Sequence, residues 1–479
     1  MRVRLPVVRR SRRRDRSKGE SRCLRTAPRL DGRLAMRDLA SRLRAIVKSD
    51  PSRPRVSPSE ASSGIEGEGI EAGFQFRGPE LKPGFNFAEI EHLLGASRLH
   101  GQRRVGHYAL EPALPMALLD AQSAASADWA SKVVFWDTET TGLSGGAGTL
   151  AFLVGCGWFE PEGFRIRQFL LTSSAGEPAM LDAVGEVLAN ASLLVSYNGR
   201  TFDAPLMDMR WAFHRKPNPI ESRPHFDMLP IARRFWGGRE AATGCSLSTL
   251  ERTIIGFHRN GDVPGFEIPA RYFSFLRSGD ASILDGVLEH NRHDLISLAA
   301  VTSHALRLAQ EGPDACRDNH EQLAIARLYE RAGDTARAHE AYSRAAASGA
   351  IDARRQALAR LAVLARRNGR YEESADAWRR LLDLAGPAGR RAPGALERQA
   401  IEALAIHHEH RARDLEAAKR YAEEMQQAIA GQVVGRSVAS GASRVAAEAA
   451  HRLARLNRKL EQSTERASDS GAGRLLPDS

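Results

Sequence analysis

Two carboxylates stand one residue apart in Val133-Val134-Phe135-Trp136-Asp137-Thr138-Glu139-Thr140-Thr141-Gly142. The four bulky apolar residues before them read as a buried strand. Side chains alternate faces along a strand, so Asp137 and Glu139 point one way and Thr138 the other. Two acids at the end of such a strand repel each other, and folding alone has no use for that. A divalent cation between them relieves the repulsion, and hard oxygen ligands suit Mg²⁺ or Mn²⁺. Asp-x-Glu is a common tripeptide, and a solvated strand end is its ordinary meaning. What else converges on it decides the matter.

Two further acids have a defined setting. Tyr197-Asn198-Gly199-Arg200-Thr201-Phe202-Asp203 follows an apolar run, Leu193–Tyr197, and opens a helical pattern from about Phe202 to His214. Asp203 is thereby expected at the edge of a sheet, where ligands bind in α/β folds. His290-Asn291-Arg292-His293-Asp294 lies within one long helix, Ile283 to Gln310. A spacing of four puts His290 and Asp294 on one helical face and turns His293 elsewhere. Asn198 is a candidate to hold a substrate or its own turn. Tyr197 and Phe202 can stack on a base, but core packing is the commoner fate of strand and helix aromatics.

The elements that must position these groups follow from periodicity and turn chemistry. Strands are expected at Val133–Asp137, Thr149–Phe159 and Phe164–Leu171, the last two joined through Pro161-Glu162-Gly163. Glu177–Asn190 has helical spacing, with Pro178 in its first turn. Short helices are expected over 227–276. Residues 87–130 carry scattered apolar residues and read as an extension packed on the sheet domain. A meander followed by alternating helices and strands gives an α/β sheet. From 317 the chain is Ala-rich and helical. Tyr329-x3-Gly333-x4-Ala338-x3-Tyr342 is echoed by Gly369-x4-Ser374-x3-Trp378, with a looser copy over Ala400–Tyr421 and a loop at Gly386–Gly394. Small residues where paired helices cross, with an aromatic filling the groove, resemble tetratricopeptide repeats.

Composition narrows the classes. Residues 1–35 hold thirteen Lys/Arg against three Asp/Glu, so of the net charge of +11 all but about one unit belongs to this arm. The arm and the Pro/Ser/Gly-rich stretch after it read as a disordered segment and linker over 1–86, and Met36 offers a second possible start. A phosphate-tracking arm is the functional alternative. The four cysteines lie far apart without a Cys-x-x-Cys pair, which argues against zinc and a disulfide framework and fits a reducing cytoplasm. The longest apolar run, Leu150 to Phe159, is too short to span a bilayer. Three local patterns are decoys. Ser144-Gly-Gly-Ala-Gly lacks the Gly-Lys-Ser/Thr of a phosphate loop. Gly155-Cys156-Gly157 lacks a dinucleotide fingerprint's third glycine. His407-His408-Glu409-His410 reads as a solvated repeat surface rather than a metal site.

Taken together, the four acids and their elements resemble the DEDD exonucleases of the ribonuclease H-like fold. Asp137-Thr-Glu-Thr-Thr-Gly-Leu-Ser-Gly-Gly-Ala-Gly, Ser196-Tyr-Asn-Gly-Arg-Thr-Phe-Asp, His225-Phe-Asp-Met-Leu, Asp262-Val-Pro-Gly and His290-Asn-Arg-His-Asp look like the YprB-like branch, which carries a tetratricopeptide-like tail. The resemblance implies an α/β ribonuclease H-like mixed sheet flanked by helices over 87–312 and an all-α repeat domain over 317–461; the polar residues 462–479 read by composition as a disordered tail. It implies two divalent cations, Mg²⁺ or Mn²⁺, held by Asp137, Glu139, Asp203 and Asp294, with His290 as general base. Asn198, Thr140 and Phe202 are the expected substrate contacts. The implied activity is 3′–5′ removal of nucleotides from single-stranded nucleic-acid ends, with a protein partner on the repeats and no membrane. The alternative from another class is a non-catalytic adaptor on a retained nuclease fold.

Overall fold

The structure, a computed structural model, describes residues 86–124, 128–142, 148–237, 244–433 and 440–472. The basic arm, the linker and the glycine-rich stretch 143–147 lie outside the described residues.

Six strands make one mixed sheet: β1 (Phe87–Gly95), β4 (Val133–Thr140), β5 (Ala151–Glu160), β6 (Gly163–Leu171), β7 (Leu193–Ser196) and β8 (His225–Asp227), in the order β1-β6-β5-β4-β7-β8. A small hairpin, β2 (Leu99–His100) with β3 (Arg103–Arg104), stands apart from it. The meander β4–β5–β6 is antiparallel, as the short turn at Pro161-Glu162-Gly163 requires, and β7 and β8 add in parallel. The extension expected only to pack on the sheet instead supplies its edge: β1 runs antiparallel to β6 over nine residues. Its alternation is masked in sequence by Glu89 and Glu91, which face Arg167 and Arg165 across the pair.

Alternation along β4 fixes the two layers. Val134 and Trp136 enter one core with Met180, Leu181 and Tyr272. Val133 and Phe135 enter the other with Leu295 and Ile296. In chain order the helices of this region are α1 (Met116–Leu119), α2 (Glu177–Ala189), α3 (Asp203–Phe213), α4 (Met228–Trp236), α5 (Leu247–Leu250), α6 (Ile268–Ser278) and α7 (Asp285–Glu311).

Antiparallel helices follow: α8 (Asn319–Arg331), α9 (Thr335–Ala347), α10 (Ile351–Arg367), α11 (Tyr371–Arg391), α12 (Ala395–His407), α13 (Leu415–Val433) and α14 (Ser440–Ala472). The repeat turns carry a common signature. Gly333 and Gly369 end α8 and α10 with φ of 80° and 75°, each five residues before the small residue of the next helix. In the third copy Arg413 takes that left-handed place, φ 55°, five residues before buried Ala418. Only glycine adopts such angles without strain, so the repeat is harder to see there by sequence. The expected loop at 386–394 is a kink at Gly386 and Pro387 within α11, which resumes to Arg391. The expected disordered tail is helical as far as Ala472.

The two regions share one apolar core. It runs from the sheet through Leu306 and Leu308 of α7 into Leu323, Tyr329 and Trp378. At the junction Trp236 Nε1 donates to Glu321 Oε1 at 2.9 Å, and Tyr329 Oη donates to the Ala309 carbonyl at 2.9 Å.

Candidate metal centre

The end of β4 is where the chemistry gathers. Asp137 pairs across β5 with Gly155, and the register slips between Glu139 and Thr140. Gly155, set aside in sequence as a decoy, has a spatial task. A Cβ there would sit 2.2 Å from Asn291 Oδ1, so only glycine lets α7 approach the strand. Asn291 is fully buried and donates from Nδ2 to Asp137 Oδ2 at 3.0 Å, while its Oδ1 accepts from Gln168 Nε2 at 2.9 Å. This chain fixes Asp137 against the helix that carries His290 and Asp294.

Glu139, His290 and Asp294 converge. Their ligand atoms all lie within 4.8 Å of one another, and among the described residues they are the group that could hold an ion. His290 Nε2 is 3.4 Å from Asp294 Oδ2 and 3.9 Å from Glu139 Oε1. Its other nitrogen, Nδ1, lies 2.7 Å from Asp262 Oδ1. A protonated Nδ1 donates to that carboxylate, which only accepts, and Arg259 Nη1 lies 3.3 Å from the same nitrogen; Nε2 is the nitrogen that faces the acids. Asp203 opens α3, and Thr138, on the opposite face of β4 from Asp137, donates to its Oδ1. Asp137 and Asp203 stand outside the three-residue group, but their charges reach it.

The electrostatics follow from burial without matching cations. Asp137 is pushed well above the usual carboxylate range by burial first, then by Asp294, Glu139 and Asp203. Glu139 is raised by burial, Asp294 and Asp203, against a pull from Arg259. Burial raises Asp203 to about 6, although the Thr138 hydrogen bond works the other way. Arg259 is the cation at ion-pair distance: it donates to Asp294 Oδ1 and to both Glu251 oxygens, and its Nη1 is 3.2 Å from Asp262 Oδ2. One guanidinium for this many carboxylates leaves the site short of positive charge.

Sequence reasoning missed Arg259 and Asp262 as site groups. They come from an irregular segment, 256–267, whose only signal was the Asp262-Val-Pro-Gly motif. It also missed Asp227, which caps α4 and accepts from the backbone N–H groups of Asn198 (2.8 Å), Arg200 (3.2 Å) and Leu229 (3.0 Å). Those bonds shape the turn that presents Asp203. Asn198 belongs to that turn: its φ is 66°, and its Oδ1 accepts from Thr201 Oγ1 at 2.7 Å. Thr140, beyond the bulge, donates to the Gly142 carbonyl at 3.1 Å. Tyr197 is half-buried against the core, as expected of it. Phe202 is not: it is 60% exposed beside Asp203, because α3 starts one residue later and buries Leu206, Met207 and Trp211 instead. His293 turns away from the acids, its ring 5.1 Å from that of Phe257. Burial, then Arg259, lowers it to about 4. His407-His408-Glu409-His410 is no solvated surface. Glu409 is buried and accepts from Arg455 and Lys459 of α14, because a π-turn rolls it inward.

Residues 134–306 match the sequence profile of the RNase_H superfamily. A Bacillus subtilis (strain 168) protein, "Uncharacterized protein YprB", is 32% identical over 253 residues, which cover 52% of this chain and 60% of the relative. The chain therefore matches less than two thirds of that relative's length.

Proposed function

We propose that the protein, whose residues 134–306 match the RNase_H superfamily, is a metal-dependent nuclease of the DEDD type, removing nucleotides from the 3′ end of single-stranded DNA or RNA. The observation that carries this reading is the convergence of Glu139, His290 and Asp294, beside Asp137 and Asp203, in a buried site short of positive charge. The donor set fits hard divalent cations, Mg²⁺ or Mn²⁺: it is made of carboxylate oxygens whose mutual repulsion a cation relieves. Asp137, Glu139, Asp203 and Asp294 would hold them. When bound, two such ions supply activation of the attacking water and stabilisation of the leaving oxygen.

The chain's own groups do the rest. His290 accepts the water's proton at Nε2, the nitrogen that faces Glu139 and Asp294. Asp262 holds the ring through Nδ1 and stabilises the imidazolium that forms. Arg259 fixes Asp294 by one oxygen and leaves Oδ2 toward the site. Exposed Phe202, next to Asp203, offers a face for a terminal base. The helical repeats are a surface for a protein partner. One cavity among them, of about 430 Å³, is lined by Arg366, Tyr371, Trp378, Ile406, His407 and Arg411. Among the described residues no helix is long and apolar enough to cross a membrane, and three free cysteines suit a reducing cytoplasm. The test is purified protein with Mn²⁺ or Mg²⁺ on 5′- and 3′-end-labelled single-stranded DNA and RNA, beside Asp137→Ala. A stepwise ladder from the 3′ end, absent in the variant, is expected. An inactive wild type that still binds nucleic acid would favour the adaptor.

A further inference from the structure

Residues 92–110 hold Arg98, Arg103 and Arg104 and not one acid. The stretch folds into the β2–β3 hairpin, and Arg98, Leu99, Gln102, Arg103 and Arg104 are all exposed, Leu99 at 65%. The three guanidiniums have no carboxylate at ion-pair distance among the described residues, whereas Arg165 and Arg167 of β6 answer Glu160, Glu89 and Glu91. Arg292 of α7 adds a fourth cation, its Nη1 2.8 Å from His92 Nε2. Clustered cations without carboxylate partners repel one another, and a polyanion relieves them as it releases its own counterions.

The hairpin is also fastened to the segment that builds the metal centre. Gln102 N–H donates to the Ile255 carbonyl at 2.9 Å, and a Cβ on Gly101 would meet that oxygen at 2.2 Å. The buried His100 ring lies 4.1 Å from Phe257 and bonds Ser297 Oγ of α7 at 2.8 Å. Two residues beyond Phe257, Arg259 reaches Asp294. Resting on the nuclease reading, we propose that the Leu99–Arg104 hairpin, with Arg98 and Arg292, is the track for the phosphate backbone of the single strand whose end enters the site. Phosphate contacts of this kind position a strand without reading its sequence.

The test is binding of fluorescein-labelled 20-nucleotide oligo(dT) and oligo(U) to the full chain in chelator, from 50 to 200 mM salt. Unaltered protein is compared with R98E/R103E/R104E and with the milder R98Q/R103Q/R104Q. Each single-strand phosphate contact adds about 0.7 to the slope of log affinity against log salt. Neutralising three should therefore flatten the slope by about 2 and weaken binding roughly tenfold or more at low salt, with reversal weakening it further. Circular dichroism checks that the variants fold. Both variants binding with the wild-type slope would overturn the track. In parallel, unaltered protein with Mn²⁺ is given bis(4-nitrophenyl) phosphate, which is too short to reach the hairpin. Hydrolysis of that diester with unchanged oligonucleotide slopes removes the track and leaves the site reading standing. No hydrolysis and no oligonucleotide binding removes both.

Discussion

Glu409 in the helical region and Asp137 in the sheet domain are buried acids with opposite surroundings. Glu409 accepts from Arg455 Nη2 at 2.7 Å and Lys459 Nζ at 2.8 Å. Burial opposes its ionisation, yet those two cations hold it down at about 2. Glu177 and Glu321 follow the same rule, lying below their ordinary range with Arg210 and His214, and with Arg317 and Trp236, as partners. Asp137 has an amide donor and three acids around it, and moves the other way. For each of these three buried acids the fold supplies a cation. At the end of β4 it does not, and the missing charge is the argument for an ion.

The sharpest break of that contrast is to remove a site acid. Asp137→Ala, or chelator on the wild type, is expected to take hydrolysis down to the uncatalysed background. Activity surviving either treatment would end the metal reading. Without metal, Asp137→Asn should melt a few degrees higher than wild type, because a repelling charge has gone. The pH sense follows from Asp203, whose folded value of about 6 lies above its ordinary 3.8. The folded state then binds the extra proton, so metal-free stability falls as pH rises from about 4 to about 6, and Asp203 adds no further loss beyond. Mn²⁺ affinity by calorimetry should rise over the same interval, because ligands must deprotonate.

His290→Ala is expected to cost roughly 10²–10⁴-fold in rate, the usual loss for a general base. Metal affinity should be kept, and a variant that loses Mn²⁺ instead would make His290 a ligand. His290→Tyr should retain part of the activity. On the other side of the comparison, Glu409→Gln should lower stability by about 1–2 kcal/mol. The loss stays small because Arg455 and Lys459, at 35% and 40% exposure, can return to water. The Glu409 contribution is present above its ordinary value and disappears as pH falls through about 2, the reverse of Asp203. A Glu409→Gln melting curve that matches wild type at neutral pH would remove the contrast on this side.

Local pattern carried much of this into the sequence. The alternation of β4 and the four-residue step on α7 depend only on backbone geometry, and His290, Asp294, Asp137 and Glu139 stand as those periods require. What stayed hidden depends on distant packing. Asp262 and Arg259 sit in irregular backbone, and nothing periodic says that they reach His290. Gly155 looked like a stray glycine because its reason, Asn291, is 136 positions away. The boundary expected at 317 rests on a change of composition and period along the chain. The continuity of the core through Leu308, Leu323 and Tyr329 is a matter of tertiary contact that no period records.

The smallest effect is the most discriminating about helix register. His293 is adjacent to Asp294, but one step on a helix turns a side chain by about 100°, against about 40° for four steps back. The structure follows that geometry. His293 packs on Phe257, its Nε2 is 4.0 Å from Glu289, and burial, then Arg259, keeps it neutral down to about pH 4. A ring that does not face the acids and does not change charge near neutrality has no proton to carry. His293→Ala should therefore stay within about threefold of the wild-type rate, far from the loss expected of a base. It should still lower the melting temperature by a few degrees, because it opens a gap beside Phe257. Parallel rate measurements on His293→Ala and His290→Ala separate the two histidines. If His293→Ala is the crippled variant and His290→Ala is not, the register of α7 is wrong, and Asp294 loses its place among the ligands with it.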